Sequence, residues 1–121
     1  MKLKRQIVAF DAADMAVESA FWARILGGTV DADDDWHTVS VDGQPRLAVQ
    51  LAPNHVRPEW PDGTQQQVHL DLYPEDMRAA HDEVLAAGGA LLKSADLDTA
   101  SGFQVYADPA GHPFCLCWGS G

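Results

Sequence analysis

Gln67-Val68-His69-Leu70-Asp71-Leu72 runs into a helical pattern from Glu75 to Ala87, a Gly88-Gly89 pair, and strand-like segments from Gly102 to Trp118. The first half of the chain has the same outline: Gln6-Ile7-Val8-Ala9-Phe10-Asp11, a helical pattern from Asp14 to Leu26, Gly27-Gly28, then Trp36 to Leu51. Asp14 answers Asp76 at an offset of about 62 residues, and the glycine pairs answer each other at about 61. Offsets this similar within 121 residues point to a duplicated supersecondary unit. The order is βαβββ twice, an α+β pattern with mostly antiparallel sheets.

Each half is about 60 residues, marginal for an independent core. The expectation is therefore one domain over 1–121, built from a module 1–52, a linker 53–66 and a module 67–121. The linker reading rests on Pro53, Pro58, Pro61 and Gly63. Trp60 lies in this linker, where packing onto its own domain is a commoner fate than capping a cleft.

Asp14 is a good N-cap, and Val17, Phe21, Ile25 with Trp22 and Leu26 follow at helical spacing. Gly27-Gly28 is a helix terminator. Residues 4–10, 29–31, 36–41 and 46–51 read as strands, with Asp42-Gly43 as a hairpin turn between the last two. In the second half 67–73 reads as a strand, and Pro74 opens a helix carrying Met77, Ala80, Val84 and Ala87 on one face. Residues 90–92, 103–107 and 113–118 then read as strands, with Asp108-Pro109-Ala110-Gly111 as a turn.

The net charge is −10, from 18 acidic and 8 basic residues. Phosphate binding needs clustered Lys and Arg, so nucleic acid is excluded as a partner. The run Asp31, Asp33, Asp34, Asp35 lacks the glycine and closing glutamate of a calcium loop, and it reads as a solvated turn. No apolar stretch approaches membrane-spanning length, and the basic Met1-Lys2-Leu3-Lys4-Arg5 start is followed by a strand pattern with Asp11 and Asp14. A cytoplasmic location is the resulting default. Cys115 and Cys117 are two residues apart in a strand, where a mutual disulfide would strain the backbone, so both are expected as thiols.

Alternation along the strands sorts the side chains by face. Val68, Leu70 and Leu72 oppose Gln67, His69, Asp71 and Tyr73. Leu47, Val49 and Leu51 oppose Arg46, Ala48 and Gln50; Phe114, Leu116 and Trp118 oppose Pro113, Cys115 and Cys117. The apolar faces are expected to cover the helices. The other faces look at water or line a cleft, and cysteines on a polar face favour a concave site.

Phe21-Trp22 before Leu26-Gly27, Val68-His69-Leu70-Asp71 before Asp76, and Ala107-Asp108-Pro109-Ala110-Gly111-His112-Pro113-Phe114 together resemble the vicinal-oxygen-chelate superfamily. This is the glyoxalase, bleomycin-resistance and extradiol-dioxygenase group, and the resemblance is to its small glyoxalase-like domains. It implies paired βαβββ modules curling around a cleft and a homodimer. In metal-dependent members, each module gives one His, Gln or Glu ligand from its first strand and one from its last. Mapped onto this chain, these positions fall at Ile7, at or near Gln50, at His69 and at Cys115. Ile7 cannot bind a metal, and Cys115 stands where the family usually has glutamate.

The candidates are thus His69, Gln50 and Cys115 as ligand-binding residues, with Trp36 and Phe103 as aromatic walls beside Tyr73 and Trp60. His69 is read as structural or ligand-orienting first, as an acid or base with Asp71 second, and as a metal ligand third. Cys115 reads as a small buried hydrophobe before it reads as a nucleophile. His37, His55, His81 and His112 are expected to be peripheral. No cofactor is expected, and a divalent metal on His69, Gln50 and Cys115 is the lesser reading. The functional expectation is a protein binding a small organic molecule in a cleft, of the resistance or sequestration type, on a degenerate metal site. The alternative is a lyase, isomerase or dioxygenase-type enzyme using His69 with Gln50 and Cys115, metal-assisted or by acid–base catalysis.

Overall fold

The computed structural model describes residues 2–66 and 68–119. Two compact units are formed, one running to His55 and the other starting at Val56. Each is a helix on a four-stranded mixed sheet, the α+β repeat expected from the sequence.

In the first unit, β1 (Val8–Ala12) leads to α1 (Met15–Leu26), β2 (Thr29–Ala32), β3 (Trp36–Val41) and β4 (Gln44–Leu51). The sheet order is β1-β4-β3-β2, with β1 parallel to β4 and the other pairs antiparallel. Asp14 caps α1, its carboxylate accepting the Val17 amide at 3.2 Å. Gly27 ends α1 in the left-handed region at φ 68. Gly28 serves a different need: a Cβ there would lie 2.2 Å from the Ser40 carbonyl oxygen, so the chain can pass β3 only without a side chain. α1 packs on β2, β3 and β4 through Phe21 and Trp22, and Phe10 and Trp22 rings meet at 5.5 Å.

In the second unit, β5 (Asp71–Leu72) leads to α2 (Met77–Ala86), β6 (Ala90–Lys93), β7 (Gly102–Ala107) and β8 (Pro113–Trp118). The order β5-β8-β7-β6 repeats that of the first sheet, again with the first strand parallel to the last. α2 packs on β8 and β6, and Val84, Tyr106, Phe114 and Leu116 are buried. Asp76, not Pro74, caps α2: its backbone is extended and its carboxylate accepts the Ala79 amide at 3.1 Å.

Three expectations change. The strand expected over 67–73 is only two residues long. Cys115 donates its amide to the Leu70 carbonyl, but Pro113, two residues earlier on β8, has no N–H to continue the ladder towards Val68. Val68 is accordingly 64% exposed, and Gln67 lies outside the described residues. Secondly, the segment from Val56 to Gln66 folds with the second unit: Gln66 donates to the Pro113 carbonyl at 2.8 Å, and Arg57 donates to the Pro109 carbonyl. Thirdly, His37, His81 and His112 are structural rather than peripheral. His37 is buried against the Ser19 hydroxyl at 2.8 Å, His81 meets the Tyr106 hydroxyl at 2.7 Å, and His112 is held by the Gln66 amide at 2.9 Å.

Among the described residues, no helix is long and apolar enough to cross a membrane.

Candidate ligand-binding site

Strand pairing in the second unit sets out two rows on one face of the sheet. Asp71, Cys115 and Val105 stand side by side across β5, β8 and β7. One step along, Cys117 faces Phe103, with Tyr73 following β5 on their side. His69 precedes Asp71 by two residues, on the same face, and its Nε2 lies 3.1 Å from the Asp71 carboxylate. Both side chains are about half exposed, 55% and 49%, so the contact orients the imidazole and adds little stability.

Two hollows open on this face. The smaller, about 220 Å³, lies between His69, Cys115, Gln66 and Trp60. The larger, about 480 Å³, is walled by Trp60, Tyr73, Phe103 and Trp118 around Asp71. His69, Cys115, Val105 and Trp60 border both. The larger has the size of an ordinary small-molecule site and the expected mixture of aromatic wall and a few polar groups.

The surroundings of both thiols disfavour the thiolate. Burial, then the Asp71 charge and the neighbouring Cys117, push the Cys115 thiol up to about 11. Burial and then Asp71 raise Cys117 as well, and the Tyr73 phenol is raised first by Cys117, then by burial and by Asp71. An anion beside a buried thiol opposes the thiolate that attack would require.

His69, Asp71, Cys115 and Phe103 therefore stand together, as the alternation of their strands suggests. Gln50 and Trp36 belong to the first unit, directly opposite each other on β4 and β3, and Gln50 donates to the Asp11 carboxylate at 3.2 Å. That row, Asp11-Gln50-Trp36, occupies in the first module the place of Tyr73-Cys117-Phe103 in the second: Asp11 precedes its helix cap by three residues, as Tyr73 does. Trp36 and Phe103 are thus counterparts. By the same register, Asp71-Cys115-Val105 answers Ala9-Ala48-Thr38, and His69 answers Ile7. Gln50 then corresponds to Cys117, and Cys115 corresponds to Ala48.

Alternation puts Trp118 on the helix-covering face, yet its indole lines the larger hollow. Gly102 explains this, since a Cβ there would lie 2.6 Å from the Trp118 ring; the ring rests on bare backbone, and its N–H donates to the Thr99 carbonyl at 3.0 Å. A glycine opening one arm of the hairpin opposite a tryptophan closing the other is the signal that finds it. Trp60 is the other residue undervalued in the sequence, because nothing local shows which way a loop tryptophan points.

The glyoxalase-like domain family model matches residues 7–117, spanning both modules. The chain belongs to this family. Similar solved structures include a glyoxalase-related enzyme from Fulvimarina pelagi, 21% identical, with 95% of this chain and 88% of that one covered at a TM-score of 0.68. The fosfomycin resistance protein FosX from Listeria monocytogenes is 11% identical over 99% and 96% of the two chains, with a TM-score of 0.71. A glyoxalase/bleomycin resistance protein/dioxygenase family enzyme from Burkholderia phytofirmans is 13% identical over 92% and 94%, with a TM-score of 0.69. No curated protein matches the chain in sequence. At these identities the likeness is one of fold, and it agrees with the paired βαβββ modules of the glyoxalase-like domains.

The metal set of metal-dependent glyoxalase-like proteins does not fit these residues. It needs donors from both modules, and the first module offers Ile7 and Ala48 at the places matching His69 and Cys115. The second module does gather a different trio: the donor atoms of His69, Asp71 and Cys115 lie within 4.8 Å of one another. Cys115 would have to lose its proton to join it.

Proposed function

We propose that this glyoxalase-like protein binds a small organic molecule in the hollows beside His69, in a resistance or sequestration role, on a metal site that has lost its ligand set. One observation carries the reading. The row Asp71-Cys115-Val105 is matched in the first module by Ala9-Ala48-Thr38, so the paired donors a family metal needs are missing while an aromatic-walled hollow remains. His69 orients the ligand, and Asp71 orients His69. The two modules are read as halves of one domain, and the chain as one half of a homodimer, which sedimentation equilibrium checks.

The test is elemental analysis of protein expressed in metal-replete medium, together with thermal melts with and without a chelator. The expected result is no stoichiometric Zn, Ni, Fe or Mn and an unchanged melting temperature. A full equivalent of any of these metals, lost in His69→Ala, would overturn the reading.

The trio of His69, Asp71 and Cys115 favours a second reading, an enzyme of the lyase, isomerase or dioxygenase type using His69 with Cys115 by acid–base or metal-assisted chemistry; Gln50, in the first unit, has no part in this trio. In that case His69→Ala abolishes turnover of any substrate found and leaves the melting temperature nearly unchanged, because the imidazole is exposed. A large loss of stability would instead mark His69 as structural.

A further inference from the structure

We propose that the larger hollow takes an organic cation, a quaternary or protonated amine carried on a flat apolar body. The inference rests on the reading that this hollow is the binding site, and it names the class of ligand.

Four aromatic side chains, Trp60, Tyr73, Phe103 and Trp118, wall the hollow around the Asp71 carboxylate. Aromatic faces are the negative side of the ring quadrupole, and they attract a cation most strongly where water is thinned out. Among the described residues, neither hollow has a Lys or Arg in its lining, and the smaller one adds the Glu59 carboxylate. An anionic ligand would thus meet like charge and no Lys or Arg in either lining.

Part of the wall is built in advance. The Trp118 indole is fixed by its bond to Thr99 and by contact with the Gly102 backbone, so little ordering is left for a ligand to impose. Phe103 is the weakest of the four walls for a cation, because Lys93 Nζ, outside the lining of the hollow, already lies 5.7 Å from its centroid. The net charge of −10 adds a long-range attraction for cations.

The experiment compares three ligands with the same phenyl body: phenyltrimethylammonium, the neutral tert-butylbenzene and the anionic phenylphosphonate. Binding to the full chain is followed at pH 8 by the indole N–H signals of Trp60 and Trp118, assigned with Trp60→Phe and Trp118→Phe. The expected result is that the cation shifts both indoles and binds about tenfold more tightly than tert-butylbenzene, with phenylphosphonate weakest. Asp71→Asn should bring the cation and the neutral ligand to within about threefold of each other. Should that variant fail to fold, the wild-type affinity for the cation must fall with added salt while that for tert-butylbenzene does not. Indole shifts in which the neutral or anionic ligand binds as tightly as the cation would overturn the cation proposal and leave small-molecule binding standing. If no ligand shifts either indole, both fall together.

Discussion

Cys115 shows how one position can be legible in type and illegible in state. Its place on the polar face follows from alternation along β8; residue type suggests full burial, and the side chain is instead half-buried. The degree to which it resists ionisation comes first from burial and then from the strand register, which sets it directly beside Asp71. The consequence is measurable. With Cys117→Ser leaving a single thiol and removing the smaller contribution of Cys117, the rate of alkylation of Cys115 in the folded protein should still rise with a midpoint above the ordinary 9.0 of the unfolded chain, because burial and Asp71 remain. The folded state holds this proton more tightly, so the stability it contributes is complete below about 9 and is lost as pH rises through about 11. A folded-state midpoint at or below 9.0 would show that Asp71 and burial do not control the thiol. His69 is the contrasting residue. Its position was readable from the count back from Asp76, and its partner Asp71 from the spacing of two along the strand. Its lack of a counterpart is the residue Ile7, already visible in the sequence.

At the scale of elements, the helices were the readable parts and β5 was not. Asp14 and Asp76 each accept an amide three residues on, and a side-chain cap followed by a periodic apolar face is local information. A strand's length depends on its partner. The alternation over 67–73 is real, but the ladder needs an N–H that Pro113 lacks, so the hydrogen-bonded strand stops at Asp71–Leu72. The site inherits this feature, because His69 lies just beyond the paired segment and is free of the ladder. The glycine pair after α1 looked like one signal and is two. Gly27→Ala meets open space and faces only the left-handed backbone, at a cost of about 1 kcal/mol. Gly28→Ala drives a Cβ to 2.2 Å from the Ser40 carbonyl oxygen, a strand atom that cannot swing away, and should cost about 2–4 kcal/mol. Urea unfolding of the two variants checks the order. Equal losses would mean that β3 yields at Ser40 and that the close approach is not a constraint.

At the scale of the whole molecule, the deciding quantity is charge. The sequence gives −10 from 18 acidic and 8 basic residues. Arg78 and Asp98 form a pair with both side chains well exposed, and such a pair contributes about 0–1 kcal/mol. Where acids do find partners, these are often neutral: Asp14 and Asp76 accept backbone amides, Asp108 accepts the His112 amide at 2.8 Å, and Asp11 accepts from Gln50. Self-repulsion among the remaining carboxylates therefore opposes the folded state at low ionic strength, where the screening length is about 30 Å at 0.01 M salt. At 1 M it is about 3 Å, so most of that repulsion is removed. Raising sodium chloride from 0.01 to 0.5 M should raise the melting temperature by a few degrees, corresponding to roughly 1 kcal/mol for a domain of this size. The same salt should weaken binding of phenyltrimethylammonium, because the field that destabilises the fold is the field that draws a cation to Asp71. A melting temperature that fell with salt would mean that attractive pairs outweigh the net charge. The acidic excess would then serve neither the fold nor the hollow, and the cation preference would have to come from the four aromatic walls and Asp71 alone.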